Sequence, residues 1–190
     1  VYKDNTLVTD EAPVLVVEEE TMGLAGTEAL AAIKTSFAPF QNIKIVTYGP
    51  SSPEVDQSTT AVDGATSISA AFPGGNWGGM FFELTPPIDA FNYQDGYLVA
   101  MLSVPEIYAD VEIKLEGTTG AGSLNLVDYT PETLGDVFSE YRIPLADFVA
   151  AGTTFADLKV PFALWNAKDA DGNYVSGTIL VDNIHFEEAE

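Results

Sequence analysis

Hydrophobic and polar residues alternate with a period of two along most of the chain, which is typical of β-strands with one buried face. The alternation is clearest near the C-terminus, in the segment Gly177-Thr-Ile-Leu-Val-Asp-Asn-Ile-His-Phe-Glu187. Similar blocks, separated by turn-rich stretches, predict roughly ten strands spaced by about eight to fifteen residues. The predicted strands cover residues 13–19, 42–48, 65–71, 80–84, 96–103, 110–116, 123–127, 139–145, 158–166 and 177–187. This pattern predicts an all-β fold, a two-sheet β-sandwich, rather than alternating strands and helices.

One segment near the N-terminus has helical periodicity instead. Leu30, Ile33 and Phe37 recur at intervals of three and four residues, and Pro39 ends the pattern. The sequence therefore predicts one short helix at 27–37, which packs across one end of the sandwich. Residues 51–64 are polar and rich in turn-forming residues, so they are predicted to form a loop. The length of 190 residues fits a single domain over 1–190.

The chain is strongly acidic, with 7 Lys and Arg against 29 Asp and Glu and a net charge of −22 at pH 7. Such a charge repels nucleic-acid phosphates and anionic membranes, so neither is expected as a partner. No apolar run approaches the ~20 residues needed to cross a bilayer, so membrane insertion is not expected either. The charge also repels itself, so salt or bound divalent cations are expected to stabilise the fold. The absence of cysteine excludes thiol chemistry and cysteine-ligated zinc.

Catalytic motifs are incomplete in this sequence. The β-glucanase pattern Glu-x-Asp-x-x-Glu is approached only at Glu54-Val-Asp-Gln-Ser-Thr59, where Thr59 replaces the second glutamate. The chain has one histidine, His185, in the closing strand, where a packing role is expected. The sequence therefore predicts a protein that is not an enzyme.

Asp182 is the main candidate for a metal ligand. In the closing strand it shares a face with Leu180, Ile184 and Phe186, and burying an unpaired carboxylate there costs several kcal/mol. The pattern therefore requires either a cation at Asp182 or a dense shell of hydrogen bonds around it. Calcium takes oxygen ligands from separate parts of a chain, and the candidates to supply them, if the first and last strands pair, are Glu18, Glu20, Glu19 or Asp4, with Glu18 and Glu20 favoured.

Three blocks of the C-terminal part carry a resemblance to a known family. They are Ser139-Glu-Tyr-Arg-Ile-Pro-Leu145, the strand that bears Trp165, and the closing Val181-Asp-Asn-Ile-His-Phe186. Together they resemble β-sandwich carbohydrate-binding modules attached to polysaccharide hydrolases, over residues 68–187, including the non-catalytic modules of marine β-glucan hydrolases. The resemblance implies a jelly roll of the galactose-binding-like type with a structural Ca²⁺ near Asp182. It also implies a secreted protein that is covalently linked to a catalytic domain.

A sugar-binding surface needs flat aromatic rings for the apolar side of a pyranose and planar polar groups for its hydroxyls. Trp77 and Trp165 are the only tryptophans. Glycines flank Trp77, so its ring can stand clear of the surface, although it can also fold back over the end of the sandwich. Period-two alternation places Trp165 away from the core, and a large exposed aromatic usually has a function.

The same period-two alternation predicts polar side chains that face outward and could bind sugar hydroxyls. Glu83, Lys114 and Asn125 each lie opposite apolar neighbours in their strands, although the same positions fit an ordinary solvated face. Arg142 is the only arginine, and it either binds sugar oxygens bidentately or merely neutralises Glu83 or Glu116. The predicted sugar-binding residues, expected to gather on one groove, are Trp77, Trp165, Arg142, Lys114, Glu83 and Asn125.

These observations lead to one expected function and two alternatives. The expectation is a non-catalytic carbohydrate-binding module that binds a neutral polysaccharide, with a laminarin-type β-glucan favoured, and targets an attached secreted glycoside hydrolase. The alternatives are a structural accessory domain without a sugar site and a cell-surface adhesion module.

Overall fold

The computed structural model describes residues 2–3, 6–7, 42–62, 66–134 and 137–189. The strands in chain order are β1 (Tyr2–Lys3), β2 (Thr6–Leu7), β3 (Asn42–Tyr48), β4 (Glu54–Ser58), β5 (Ser67–Phe72), β6 (Gly79–Thr85), β7 (Tyr97–Ser103), β8 (Asp110–Gly117), β9 (Ala121–Asn125), β10 (Thr133–Leu134), β11 (Ser139–Pro144), β12 (Leu158–Val160), β13 (Phe162–Lys168) and β14 (Gly177–Glu187). One α-helix, α1 (Leu145–Ala150), follows β11. Short 3₁₀ turns lie at Phe91–Tyr93 and Leu126–Asp128.

Two antiparallel six-stranded sheets form a sandwich. The first sheet has the strand order β10-β11-β7-β14-β5-β4, and the second has the order β12-β8-β13-β6-β3, with β9 paired to β8. Strands β1 and β2 form a separate two-stranded sheet. The prediction of an all-β, two-sheet sandwich is confirmed.

The core lies between the two sheets and follows the period-two pattern. Along β8, Val111, Ile113 and Leu115 are buried while the residues between them are partly exposed. In the second sheet the rings of Phe82 and Phe162 lie 5.6 Å apart and contact each other across β6 and β13. Fully burying an apolar side chain of this size contributes about 1.5–3 kcal/mol, which fixes which face of each strand points inward.

Three predictions about local structure have different outcomes. The loop predicted over 51–64 contains strand β4, which pairs with β5 at the edge of the first sheet, so that prediction was wrong for 54–58. An edge strand buries little, and here only Val55 packs against the core, so its apolar signal is weak. The predicted helix at 27–37 and the predicted strand at 13–19 lie outside the described residues. Among the described residues, no helix is long and apolar enough to cross a membrane.

A β-bulge in β14 changes the face on which Asp182 lies. Asp182 pairs with Met101 of β7 and His185 pairs with Val99, so three steps along β14 match two steps along β7. Asn183 adopts a left-handed backbone conformation, with φ of 44°, at this point.

Because of the extra residue in the bulge, Asp182 does not lie on the face predicted from the sequence. The core-facing side chains of β14 are Ile179, Val181, Ile184 and Phe186. Asp182 therefore lies on the opposite face from Ile184 and Phe186, contrary to the sequence prediction. It is nevertheless only 1% exposed, so its carboxylate still requires partners.

Candidate functional site

Four aromatic side chains gather on the outer face of the second sheet. Tyr48 is the last residue of β3, Phe81 lies in β6, Trp165 lies in β13, and Trp77 lies two residues before the start of β6. The ring centroids of Trp77 and Trp165 are 6.4 Å apart, those of Phe81 and Trp165 are 6.3 Å apart, and those of Tyr48 and Trp77 are 5.7 Å apart. All three separations lie in the range of attractive aromatic pairs. We call these four residues the aromatic cluster.

Strand pairing and glycines explain how the rings come together. Trp165 pairs with Gly79 of β6, and a β-carbon added at Gly79 would lie 2.5 and 2.6 Å from two indole carbons of Trp165. The Trp165 ring therefore lies over the backbone of Gly79. Similarly, the Trp77 ring lies against the backbone of Gly49, which has a φ of 108°. A β-carbon added at Gly49 would lie 2.9 Å from two carbons of that ring. Side chains at these two glycines would displace the indoles.

The cluster is partly open to solvent. Tyr48 is 62% exposed and Trp77 is 39% exposed, while Trp165 is partly buried beneath them. Trp77 therefore stands beside Trp165 on the outer face instead of folding back over the end of the sandwich. Indole Nε1 of Trp165 is buried and has no hydrogen-bond partner among the described residues.

A small cleft of about 90 Å³ adjoins the cluster. Its lining consists of Phe81, Lys114, Glu116, Lys159, Val160, Ala163 and Trp165. Lys114 Nζ lies 2.7 Å from Glu116 Oε2, and Lys159 Nζ lies 2.8 Å from Glu83 Oε1. The hydrogen bond to Glu83 raises the pKa of Lys159 above its ordinary value. The four charged groups thus form two ion pairs, which leaves the cleft rich in polar groups but without a local net charge.

The structure brings five of the six predicted sugar-binding residues to this face. Trp77 and Trp165 belong to the cluster, Lys114 lines the adjoining cleft, and Glu83 pairs with Lys159 at the wall of that cleft. Asn125 lies farther out, opposite Glu112 at the β9 edge, and its Oδ1 accepts a hydrogen bond from the Val127 amide at 3.2 Å.

Arg142 lies elsewhere, so the prediction that it joins the tryptophans on one groove is corrected. It belongs to β11 in the first sheet, where its guanidinium pairs with Glu187 and lies 4.0 Å from Glu132. Its Cζ atom stands 4.1 Å from the centroid of the Tyr97 ring. The arginine therefore neutralises carboxylates of its own sheet, and neither of them is Glu83 or Glu116, the partners considered from sequence.

Sequence reasoning missed Tyr48, Phe81 and Lys159. A signal was present for Phe81, because the alternation that places Glu83 outward also places Phe81 outward. Tyr48 and Lys159 depend on the order of strands in the sheet, since β3 and β12 reach the site only through their pairing with β6 and β8.

Asp182 has hydrogen-bond donors around it. The amide of Val62 donates to Oδ2 at 2.6 Å, and the amide of Asn183 donates to Oδ1 at 2.8 Å. These contacts match the hydrogen-bond shell that was one of the two options for this carboxylate. Within the described part of the chain, no group of three or more His, Asp or Glu side chains is placed to hold a metal. Glu18 and Glu20 lie outside the described residues, so the calcium site stays a prediction.

The fold is that of β-sandwich carbohydrate-binding modules. The family 11 module of the cellulosomal cellulase Lic26A-Cel5E of Clostridium thermocellum matches with a TM-score of 0.55 and 10% identity, over 77% of this chain and 88% of that chain. The family 30 module of the cellulosomal cellulase Cel9D-Cel44B of the same organism matches with a TM-score of 0.54 and 17% identity, over 74% and 83%.

A further structure of the family 11 module from Clostridium thermocellum is a complex with a β-1,3-1,4-mixed-linked tetrasaccharide. It matches with a TM-score of 0.53 and 10% identity, over 75% of this chain and 86% of that chain. No family model matches the sequence, and no curated protein does. At these identities the likeness establishes the fold, and the function is argued from the site.

Proposed function

We propose that this chain is a non-catalytic carbohydrate-binding module whose aromatic cluster binds a neutral polysaccharide, with a laminarin-type β-glucan favoured. The observation that carries the proposal is the aromatic cluster itself. Large rings that remain partly exposed and contact one another on a sheet face are unusual on a soluble protein unless they bind something. The adjoining cleft supplies polar groups beside the rings, as small-molecule sites require.

The chemistry of the face suits sugars. The flat indole and phenyl faces can stack on the apolar C–H side of a pyranose, since the faces of aromatic rings carry partial negative charge. Lys114 and Lys159 are held in place by Glu116 and Glu83, so their ammonium groups and the paired carboxylates present donors and acceptors to hydroxyls. Because each lysine is already neutralised, the cleft offers no excess positive charge to an anionic glycan such as alginate.

Binding without catalysis is favoured by the state of the nearby carboxylates. Glu83 and Glu116 are the acidic side chains at the cleft, and each is engaged by a lysine. A glycosidase requires one carboxyl group that can hold a proton beside the scissile bond and a second that remains ionised. At this cleft each of the two carboxylates is instead bound to a lysine ammonium group, an arrangement that suits hydroxyl binding.

The neighbours give further support for a polysaccharide partner. The solved family 11 module is described in complex with a β-linked glucan tetrasaccharide, and the modules of both families are described as parts of cellulosomal cellulases. By extension, we propose that this chain is secreted and targets a covalently linked glycoside hydrolase to its substrate.

Affinity electrophoresis through gels that contain laminarin, mixed-linkage glucan, xylan or alginate tests the proposal. The protein is expected to be retarded by laminarin and unaffected by alginate. Trp77→Ala and Trp165→Ala should each weaken binding by about tenfold or more, as expected for a central aromatic contact. Phe91→Ala is the matched control, because Phe91 is also an exposed aromatic residue but lies outside the cluster.

The outcomes separate the candidate functions. Retardation that the two tryptophan variants lose and the Phe91 variant keeps would support the proposed site. Normal migration of the wild-type protein in every gel would contradict it and would favour a structural accessory domain or a protein-binding adhesion module. Release of reducing sugar from any of the gels' polysaccharides would contradict the non-catalytic assignment.

A further inference from the structure

Three rings of the aromatic cluster form a row that follows one strand. Gly79 and Phe81 are alternate residues of β6 and so lie on the same face, and Trp77 lies two residues before Gly79, with its ring next to that of Trp165. Gly79 has no side chain, and the Trp165 ring from β13 fills its place. The row along β6 is therefore Trp77, Trp165 and Phe81, and we call it the ring row.

The spacing of the ring row agrees with its direction. Alternate residues of a strand are separated by about 6.6 Å, because the rise is about 3.3 Å per residue. The centroid separations along the row are 6.4 Å and 6.3 Å, and the planes of successive rings differ by 27° and 13°. The three rings thus repeat nearly in parallel along the direction of the strand.

We infer that a bound polysaccharide lies lengthwise along β6, with successive sugars on the ring row, instead of crossing the strands. This inference rests on the proposed function. Beyond Phe81, the next outward residue of β6 is Glu83, whose carboxylate holds Lys159 at the wall of the cleft. A polysaccharide that extends past Phe81 in this direction therefore reaches the Lys159–Glu83 ion pair, whose ammonium and carboxylate groups can hydrogen-bond to its hydroxyls.

The directions across the strands are obstructed on both sides of Trp165. On one side the exposed Tyr48 ring stands at 69° to the Trp165 plane, with 6.4 Å between centroids, and forms a side wall. On the other side Glu112 pairs with Trp165 in the β8–β13 register, and its carboxylate already accepts hydrogen bonds from Asn166 at 2.7 Å and from Ser123 at 2.9 Å. Neither side continues the flat apolar surface.

Phe81 and Ser123 provide a matched pair of test positions. Phe81 pairs with Ala163, and Ser123 pairs with Lys114. The β13–β8 register, in which Leu164 pairs with Ile113, sets Ala163 opposite Lys114, so Phe81 and Ser123 lie in one line across the strands on the outer face. A polysaccharide that lies along β6 contacts Phe81 and not Ser123, whereas a polysaccharide that crosses the strands at this line contacts both residues. Isothermal titration with soluble laminarin should therefore show about a tenfold loss of affinity for Phe81→Leu and less than a twofold change for Ser123→Ala. The leucine preserves apolar volume, and thermal unfolding of both variants checks that they fold.

Oligosaccharide length gives a second measurement. For laminari-oligosaccharides of two to six units, affinity should rise up to about four units, three on the ring row and one at the Lys159–Glu83 pair, and then level off. Binding that is weakened by both substitutions or by Ser123→Ala alone, or affinity that levels off at two units, would overturn the lengthwise arrangement while leaving the proposed function intact. Failure of the wild-type protein to bind any glycan would overturn both.

Discussion

Asp182 illustrates at the scale of one residue how a buried charge is held by backbone groups. Its two carboxylate oxygens accept hydrogen bonds from the backbone amides of Val62, at 2.6 Å, and Asn183, at 2.8 Å. Asp182→Ala leaves these donors without that acceptor, and an unsatisfied buried donor costs about 1–3 kcal/mol. We expect the variant to lower the free energy of unfolding in urea by about 2 kcal/mol or more.

A charge-matched control accompanies this measurement. Asp171→Ala removes an exposed carboxylate from a turn and should change the unfolding free energy by less than about 0.5 kcal/mol. Equal effects of the two substitutions would contradict a structural role for the Asp182 hydrogen bonds.

Arg142 leads to a different expectation at the same scale. Its guanidinium stacks on Tyr97 and pairs with Glu187 in the first sheet, away from the aromatic cluster. Arg142→Lys keeps the charge and loses the planar stacking, so it should destabilise the fold by about 1 kcal/mol and leave glycan retardation unchanged. A loss of retardation in a variant that still folds would place Arg142 back in the binding site.

At the scale of elements, Asp157 joins a loop to the β8–β9 hairpin. Its carboxylate accepts hydrogen bonds from the hydroxyls of Thr118 and Thr154, and these contacts, with Thr118 the largest cause, lower the pKa of Asp157 below 3.8. Because the folded pKa is the lower one, the stabilisation is present above the unfolded value and is lost as pH falls through the folded value.

The expected pH dependence follows from this sign. Between pH 6 and pH 2, the melting temperature of the wild-type protein should fall more steeply than that of Asp157→Asn, which cannot titrate at this position. The gap between the two curves should be widest near neutral pH and should close in acid. A gap that stays constant over the whole range would contradict the role of the ionised carboxylate.

Elements with strong alternation were predictable, and irregular ones were not. The prediction of a strand over 177–187 matches β14 to the residue, because its apolar positions are buried in the core. The face of Asp182 was wrong since one extra residue at the bulge reverses parity, and the Asp-Asn dipeptide gives no clear sign of it. Strand β4 was missed because its edge position demands few apolar residues.

The candidate site was predictable only where it depends on parity within one strand. The outward positions of Trp165, Glu83 and Lys114 follow from alternation alone. Their proximity depends on which strands are neighbours, and that order arises from long-range pairing. Arg142 shows the consequence. Alternation correctly predicted that its side chain faces outward from β11, but β11 belongs to the first sheet and not to the sheet that carries the tryptophans.

At the scale of the whole molecule, charge sets the response to salt. The net charge is −22, and Lys114, Arg142, Lys159 and Lys168 are each already paired with a carboxylate. Most acidic side chains therefore repel one another in the folded state. Raising NaCl to about 0.5 M shortens the screening length to a few ångströms and should raise the melting temperature. A melting temperature that is independent of salt would contradict this balance.

Calcium can be distinguished from this general screening at matched ionic strength. The predicted calcium site includes Asp182, with Glu18 and Glu20 as further ligands. A calcium ion that binds this site binds only the folded protein and therefore stabilises it by mass action. Millimolar CaCl₂ is therefore expected to raise the melting temperature more than NaCl of the same ionic strength, and EDTA should reverse the difference. Asp182→Asn should respond equally to the two salts, because the amide removes the anionic ligand. Equal responses of the wild-type protein would leave backbone amides as the partners that offset the buried charge of Asp182 and would contradict a structural calcium ion.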